Sequence, residues 1–435
     1  MNARTTALTV LIACRRQGAW SNGILKEYIQ RDRLDRRDAA LCAQISYGVM
    51  QNEALLDDLI GQCLTKPNAK LQPIVRDILR IGAYQLLFLD RVPANAAVNE
   101  AVEACKRSAN PKAAGLVNAV LRRFAGKKDE LHRPRSLSVR YSHPEELVEL
   151  LRQSVGEQKL EAFLAADNSV PETVFQCNPL KADCERVEKE LDQYGVRYRR
   201  HAWLPGAYLV SGTGDVETLP IFSEGRVYVQ DPAAKLAVLA SGVQAGMRVL
   251  DCCAAPGGKS FAAAMQMENR GSVLSCDIHA HKTALIEKGA QRLGISIIQA
   301  QTADAAQENP TWLEMFDTVI ADVPCSGLGV IRKKPDIRYR DLEQTQRLPE
   351  IQREILENVS RYVRPGGVLL YSTCTVLKRE NEAVAESFLQ SHPEFSPESF
   401  PVFDPLSAPQ NGMLTLLPCT DQCDGFFICK MRRSK

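Results

Sequence analysis

The sequence predicts a multidomain protein: an all-α N-terminal domain, a small α/β middle region and a C-terminal α/β domain whose parallel sheet carries helices on both faces. Three observations predict this. At 435 residues the chain exceeds what one hydrophobic core ordinarily organises, so two or three domains are expected. Residues 1–126 carry apolar side chains at helical spacing. From 226 onward, apolar runs of strand length alternate with helical segments, the rhythm of βαβ units.

In the first region, "AALCAQISYGVMQNEALLDDLIGQCL" and "LQPIVRDILRIGAYQLLFL" read as amphipathic helices. Pro93 follows the second run, and "PANAAVNEAVEACKRSA" starts another helix with Asn95 as its expected cap. "GLVNAVLRRFA" supplies the last. The first fifty residues hold eight Lys or Arg against four acids. The run "RDRLDRRD" within them suits an RNA-facing surface or, equally, a solvated helix face with internal ion pairs. Residues 127–144, rich in charge and proline, read as a linker.

Residues 145–225 form the small α/β region: an amphipathic helix near 145–165, the strand "TVFQCN", the helix "KADCERVEKELDQYG" and the strand-and-turn stretch "RYRRHAWLPGAYLVSG". Its basic-aromatic run, Arg197 to Trp203, is a second candidate RNA contact, set against the reading in which arginine stems only cover apolar surface. In 226–435 the strands are "MRVLDCCA", "GSVLSCD", "SIIQAQ", "FDTVIADV" and "GVLLYSTC". The helix "DLEQTQRLPEIQREILENVSRYV" precedes the last of them, and "MLTLLP" with "GFFICKMRR" closes the sheet as an antiparallel pair. Such sheets bind ligands at the carboxyl ends of their strands.

Composition narrows the class. With 45% hydrophobic and 24% charged residues and a formal charge of +2, the chain reads as a globular protein without long disorder. A charge so near neutral neither supports nor excludes a nucleic-acid partner. The N-terminal apolar run is broken by Arg15 and Arg16, unlike a signal peptide, and no stretch has the roughly 18 to 20 apolar residues that span a bilayer. A cytoplasmic protein is expected, with its fourteen cysteines reduced. None forms a CxxC pair. Cys419, Cys423 and Cys429 lack a partner pair and read as buried thiols, so no metal is expected.

The chemistry gathers at strand ends. "VLDCCAAPGGKS" places Asp251 at a strand end, the pair Gly257 and Gly258 in the turn and Lys259 at a helix start. It is neither GxGxxG nor the full nucleotide phosphate loop. Asp277 ends the next strand, where a carboxylate can bind ribose hydroxyls, and Asp304 follows the third, where an adenine edge can lie. Glycine loop, acid and acid at successive strand ends favour an adenosine-containing cofactor over simple turns. The fourth strand delivers Asp322, Pro324 and Cys325, and the fifth delivers Cys374. Two thiols at adjacent strand ends are candidate nucleophiles, with Lys259 or Arg332 as the cation that could lower a thiol pKa. Beyond Cys325, "VIRKKPDIRYR" offers Arg332, Lys333, Lys334, Arg338 and Arg340 for phosphate contacts, against the reading of a solvent-facing loop.

These motifs, "DCCAAPGGKS", Asp277, Asp304, "ADVPCSGLGV", "RKKPD" and "YSTCT", resemble the RNA cytosine-5 methyltransferases that use S-adenosylmethionine, over about 200 residues. Residues 1–126 resemble the NusB-type RNA-binding fold. The resemblance implies a Rossmann-like, S-adenosylmethionine-dependent methyltransferase domain over 226–435. It implies that Cys374 attacks C6 of cytosine, Cys325 assists breakdown of the adduct, Asp322 bonds the N3 edge and Lys259 sits near these groups. Ala254, Ala255, Pro256, Gly257, Gly258, Lys259 and Ser260 would cradle the methionine part of the cofactor, Asp277 its ribose and Asp304 its adenine, with Asp322 beside them. Cys252 and Cys253 are read as packing. The base that removes the C5 proton stays open among Cys325, Asp322 and water.

The combination with a NusB-like domain implies 16S rRNA as substrate, by resemblance at cytosine 967, free or in an early assembly particle. A looped or single-stranded target is favoured, because the base must leave its stack. No membrane and no stable protein partner is expected, and a monomer is the default. Three rivals stand beside this reading: a transfer RNA or other rRNA cytosine-5 methyltransferase, a non-catalytic RNA-binding assembly factor, and a redox protein using Cys325 and Cys374.

Overall fold

The computed structural model describes residues 2–17, 22–66, 70–108 and 110–435. Parts of the region expected to be all-helical, namely 1, 18–21, 67–69 and 109, lie outside the described residues. The chain divides into two compact units, one of Met1–Arg152, Leu160–Asn168 and Lys334–Arg340, the other of Gln153–Lys159, Ser169–Lys333 and Asp341–Lys435.

The first unit is helical, as its periodicity predicts. Helices Ala3–Gln17, Arg36–Gln51, Glu53–Cys63, Pro73–Phe88, Ala94–Lys106 and Ala114–Lys127 bury one apolar core that includes Leu11, Ile45, Leu56, Leu79, Leu121 and Phe124. Asp35 caps Arg36–Gln51 by accepting from Asp38 N at 2.8 Å. The acids of "RDRLDRRD" are in part structural: Asp32 pairs with Arg31 at 2.8 Å and takes the Thr6 hydroxyl at 2.7 Å. Arg33, Arg36 and Arg37 remain exposed. Asn95 is not the cap expected of it, because Pro93 stands at the N-cap and the helix begins at Ala94. The segment expected as a linker carries the helix Leu137–Tyr141, and its Ser142 and His143 are buried.

The second unit holds two sheets. Strands β1 (Thr173–Cys177), β2 (Arg197–Arg200), β3 (Ala207–Ser211) and β4 (Val227–Val229) form an antiparallel sheet in the order β2-β3-β1-β4. The basic run lies on edge strand β2, where Arg197, Arg199 and Arg200 are exposed. Arg199 pairs with Glu172, Arg200 with Glu188, and Trp203 is buried with its indole N–H on Asp421 O at 2.8 Å.

The larger sheet contains β5 (Arg248–Asp251), β6 (Ser272–Asp277), β7 (Ile298–Thr302), β8 (Phe316–Asp322), β9 (Val363–Thr373), β10 (Phe395–Pro397), β11 (Met413–Leu416) and β12 (Phe426–Arg433). Its order is β10-β12-β9-β8-β5-β6-β7, with β11 on β12. The central pairings are parallel, and β12 runs antiparallel to β9, as the apolar runs predict. The chain leaves β5 toward β6 and β7, then returns to the other side of β5 for β8 and β9. The switch point between β5 and β8 is where an open α/β sheet opens a crevice for ligands. The helix expected over the whole of "DLEQTQRLPEIQREILENVSRYV" is shorter. A 3-10 turn, Gln344–Arg347, precedes Leu348–Ser360, because Pro349 is accommodated only in the first turn of a helix. Among the described residues no helix is long and apolar enough to cross a membrane.

Candidate active site

The first wall of the crevice is a strand, a turn and a helix. β5 ends at the fully buried Asp251, and the chain turns through 252–257 into helix Gly258–Gln266. Gly257 N–H donates to Ala254 O at 2.7 Å. Gly257 holds φ at +109°, and a Cβ there would meet the Phe261 ring at 2.5 Å, so only glycine makes this turn. The turn brings the N-terminus of this helix to the end of β5, and a helix N-terminus favours polar or anionic groups. Ser260 Oγ donates to Asp251 Oδ2 at 2.7 Å and accepts from Ser275 Oγ at 2.8 Å. Asp251 Oδ1 is buried without a protein partner, and burial pushes this carboxyl up to about 7 against the hydrogen bond from Ser260.

Asp277 and Asp304 continue the row. Asp277 ends β6, and its Oδ1 accepts from His279 N at 3.0 Å with Lys282 Nζ at 3.7 Å. Asp304, two residues past β7, accepts from Ala306 N at 3.0 Å. Ala254 is buried and Pro256 exposed at the tip of the turn. A glycine turn into a helix N-terminus, an orphaned buried acceptor and two strand-end carboxylates in a row fit an adenosylated amino acid.

The second wall comes from β8 and β9. Asp322 and Ser372 are paired in register, and Ser372 Oγ donates to Asp322 Oδ1 at 2.8 Å. Lys259, from the first wall, donates to Asp322 Oδ2 at 2.6 Å and stands 5.1 Å over the Phe426 ring. Burial works against the Lys259 charge, yet Asp322 outweighs it and raises the ammonium pKa, with Asp251 and Cys374 adding to the same effect. Cys325 Sγ lies 3.3 Å from Cys374 Sγ, beyond the roughly 2.05 Å of a disulfide. Contact with Cys374, then burial, then the charges of Glu380 and Asp322 hold the Cys325 thiol well above its ordinary value.

Backbone contact fixes the two cysteine loops. Gly329 N donates to Cys374 O at 3.0 Å and Gly425 N to Gly329 O at 2.8 Å. A Cβ on Gly329 would meet Gly425 O at 1.9 Å, so the approach depends on glycine. Buried side chains that sequence reasoning did not single out complete the frame. Ser326 Oγ bonds Thr375 Oγ1 at 2.8 Å, Thr373 Oγ1 bonds Asn381 Oδ1 at 2.6 Å, and Asn381 Nδ2 donates to Thr375 O at 3.0 Å. Glu380 and Gln352 lie behind Cys325. Their only signal is a polar residue inside an otherwise apolar pattern, which does not name a partner.

Three of the five cations expected on RNA are corrected. Lys333 Nζ bonds Asp424 at 2.7 Å and Asp231 at 2.8 Å, and Arg332 bonds Asp424 and Cys423 O, each at 3.2 Å. Their charge is neutralised inside the protein. Arg338 is 1% exposed. It donates to Gln51 O and Asn168 Oδ1, both at 2.9 Å, and to Ser142 O at 3.3 Å. Lys334 and Arg340 are exposed. Arg338→Met should therefore leave several buried acceptors unpaired and destabilise the helical unit by about 2–4 kcal/mol. Denaturant unfolding followed by helical circular dichroism checks this, and an unchanged midpoint contradicts the buried role.

Comparison with known proteins adds three family matches: residues 238–432 to 16S rRNA methyltransferase RsmB/F, residues 1–126 to the NusB family, and residues 143–217 to the RsmF/B-like ferredoxin-like domain. A probable ribosomal RNA small subunit methyltransferase B of Bacillus subtilis is 36% identical, covering 99% of both chains. Ribosomal RNA small subunit methyltransferase B of Vibrio cholerae is 33% identical over 100% of this chain and 98% of its own. The crystal structure of PH0851 superposes with a TM-score of 0.79 at 26% identity, covering 99% of both chains. NSun6 from Pyrococcus horikoshii shares the fold over 67% of this chain and 98% of its own, with a TM-score of 0.60 at 20% identity.

Proposed function

Because the chain belongs to the 16S rRNA methyltransferase RsmB/F family, we propose that it methylates C5 of one cytosine of small-subunit rRNA through a covalent bond between Cys374 and C6. The carrying observation is the pair of thiols 3.3 Å apart beside the Lys259–Asp322 ion pair, all at the carboxyl ends of the adjacent strands β5, β8 and β9. S-adenosylmethionine is the methyl donor of the family, and when bound it supplies an electrophilic sulfonium methyl group. The backbone of Ala254–Ser260 would hold its amino-acid end, Asp277 its ribose hydroxyls and Asp304 its adenine edge.

The residues of the chain do the rest. C5 of cytosine is a weak nucleophile until a group adds at C6. The Cys374 thiolate forms the S–C6 bond, the displaced C5–C6 π pair forms a C4–C5 double bond while the C4–N3 π pair shifts onto N3, and C5 becomes enamine-like. Asp322, held by Lys259 and Ser372, faces the N3 edge and passes a proton to N3 as negative charge gathers there, since a carboxylate that stayed ionised would repel that charge. After methylation a base, for which Cys325, Asp322 and water are the candidates, takes the C5 proton, the C5–H electron pair restores the C5–C6 double bond, and the C6–S bond breaks with its pair returning to Cys374. Cys325, in contact with that sulfur, assists this elimination. Lys334 and Arg340 position the RNA backbone. Replacing either by alanine should weaken RNA binding at all sequences and lower the slope of log affinity against log salt by about one. A slope that does not move removes that residue from the interface.

Lys259→Met tests the ion pair. With Asp322 left without its cation, turnover should fall by about a hundredfold, with a change in folding stability of about 1–2 kcal/mol. Single-turnover methyl transfer and thermal unfolding measure the two. The reading as a whole is tested by transfer of a labelled methyl group to unmodified 16S RNA, free and in early assembly particles, with nucleotide-resolution mapping. Label at C5 of one cytosine supports it. Label on transfer RNA alone, or at another ring position, overturns it.

A further inference from the structure

The two peptide groups that flank Cys325 are each held by a side chain from elsewhere in the domain. Before the thiol, Pro324 O accepts from Gln352 Nε2 at 3.0 Å, and after it Ser326 N donates to Glu380 Oε2 at 2.8 Å. Gln352 Nε2 also reaches Glu380 Oε2 at 3.1 Å, so the two side chains close a clamp around one residue. Both are fully buried, and Tyr371 OH donates to the backbone carbonyl of Glu380. Glu380 Oε1 is buried without a protein partner. Among the described residues no cation forms an ion pair with it. A carboxylate kept in the interior without a cation is costly, and a neutral acceptor would serve the Ser326 amide as well. Its presence here calls for a role in which charge matters.

Glu380 is tied through Ser326 N to the residue next to Cys325, so its carboxyl lies on that side of the thiol pair, and its charge and that of Asp322 act on Cys325, with Tyr371 beside it; Lys259 lies near Cys374. We infer that Glu380, with Gln352, is a positioning residue of the reaction: it fixes the backbone on both sides of Cys325 and keeps the proton on that thiol while Cys374 attacks. The inference rests on the two-cysteine reading above. In the attack the Cys374 sulfur pair forms the bond to C6 and the S–H bond of Cys325 stays intact, so the nucleophile is chosen before RNA binds.

The test is alkylation of the full-length protein by iodoacetamide at pH 8 without RNA, with the rate at each cysteine read by peptide mass spectrometry. In the wild type, Cys374 should react at least about tenfold faster than Cys325; equal rates overturn the inference and require no variant. Glu380→Gln keeps an acceptor for the Ser326 amide and removes the charge. It should speed Cys325 by about tenfold and leave Cys374 within about twofold, and Glu380→Asp, which keeps the charge, should restore the slow rate. An unchanged Cys325 rate in folded Glu380→Gln, or equal acceleration of both thiols, marks Glu380 as merely structural. Failure of the methyl-transfer reading would show instead in the RNA assay of the Cys325 and Cys374 variants and would leave these alkylation rates as they are.

Discussion

Cys374→Ala should abolish methyl transfer to 16S RNA, lowering the single-turnover rate by at least about three orders of magnitude while cofactor binding stays within about twofold. The expectation follows from chemistry before geometry. Without addition at C6, C5 of cytosine has too little electron density to take a methyl group, so no positioning by the remaining residues substitutes for the lost sulfur. The geometry then makes the prediction specific to Cys374. Its loop is tied by its own carbonyl to Gly329 N at 3.0 Å and by the next residue, Thr375, to Ser326 and Asn381. Alanine therefore leaves the backbone in place. The Asp251–Ser260 and Lys259–Asp322 hydrogen bonds are made without the Cys374 side chain, so the cofactor side should remain intact. Isothermal titration with S-adenosylmethionine and a labelled-methyl assay measure the two quantities. Residual transfer within tenfold of wild type would show that another group adds to C6, and Cys325 would be the first to examine.

Much of this site was legible in the sequence because its signals are local. A strand that ends in an acid, a glycine turn and a helix start lie within ten residues, Asp251 to Ser260, and a cysteine placed at a strand end stays there once the strand forms. Asp277, Asp304, Asp322 and Cys374 follow the same logic, and parallel pairing of β8 with β9 brings together thiols 49 positions apart. What sequence could not show is how charge is distributed after folding. Lys333 and Arg332 read as free cations, but Asp424, which pairs with both and shares Lys333 with Asp231, lies more than ninety residues away and carries no periodic signal. Arg338 sits in a run of basic residues, yet its partners Gln51, Ser142 and Asn168 come from three separate helical segments. The Cys325 clamp has the same character, since Gln352 and Glu380 fall on a helix and a loop whose meeting is set by the sheet.

Cys325→Ala should convert the enzyme into one that traps its own substrate. The Cys374–C6 bond forms as in wild type, because Cys374 and its cationic neighbour Lys259 are untouched, but the thiol that assists elimination is gone. A protein–RNA adduct that survives denaturing electrophoresis should accumulate to a large fraction of the enzyme. Turnover should drop by about 10²–10⁴, the range for loss of a general acid–base group. The loop itself should hold, because Gln352 on Pro324 O and Glu380 on Ser326 N bind backbone rather than the thiol, and removal of one half-buried sulfur costs about 1 kcal/mol. The Cys325→Ala/Cys374→Ala double variant supplies the decisive control: it should form no adduct, since the bond being trapped is the one to Cys374. An adduct that persists in the double variant would place the covalent link on another residue. No adduct in the single variant, with turnover preserved, would mean that water or Asp322 drives elimination unaided, and the 3.3 Å approach of the two sulfurs would then serve packing rather than release.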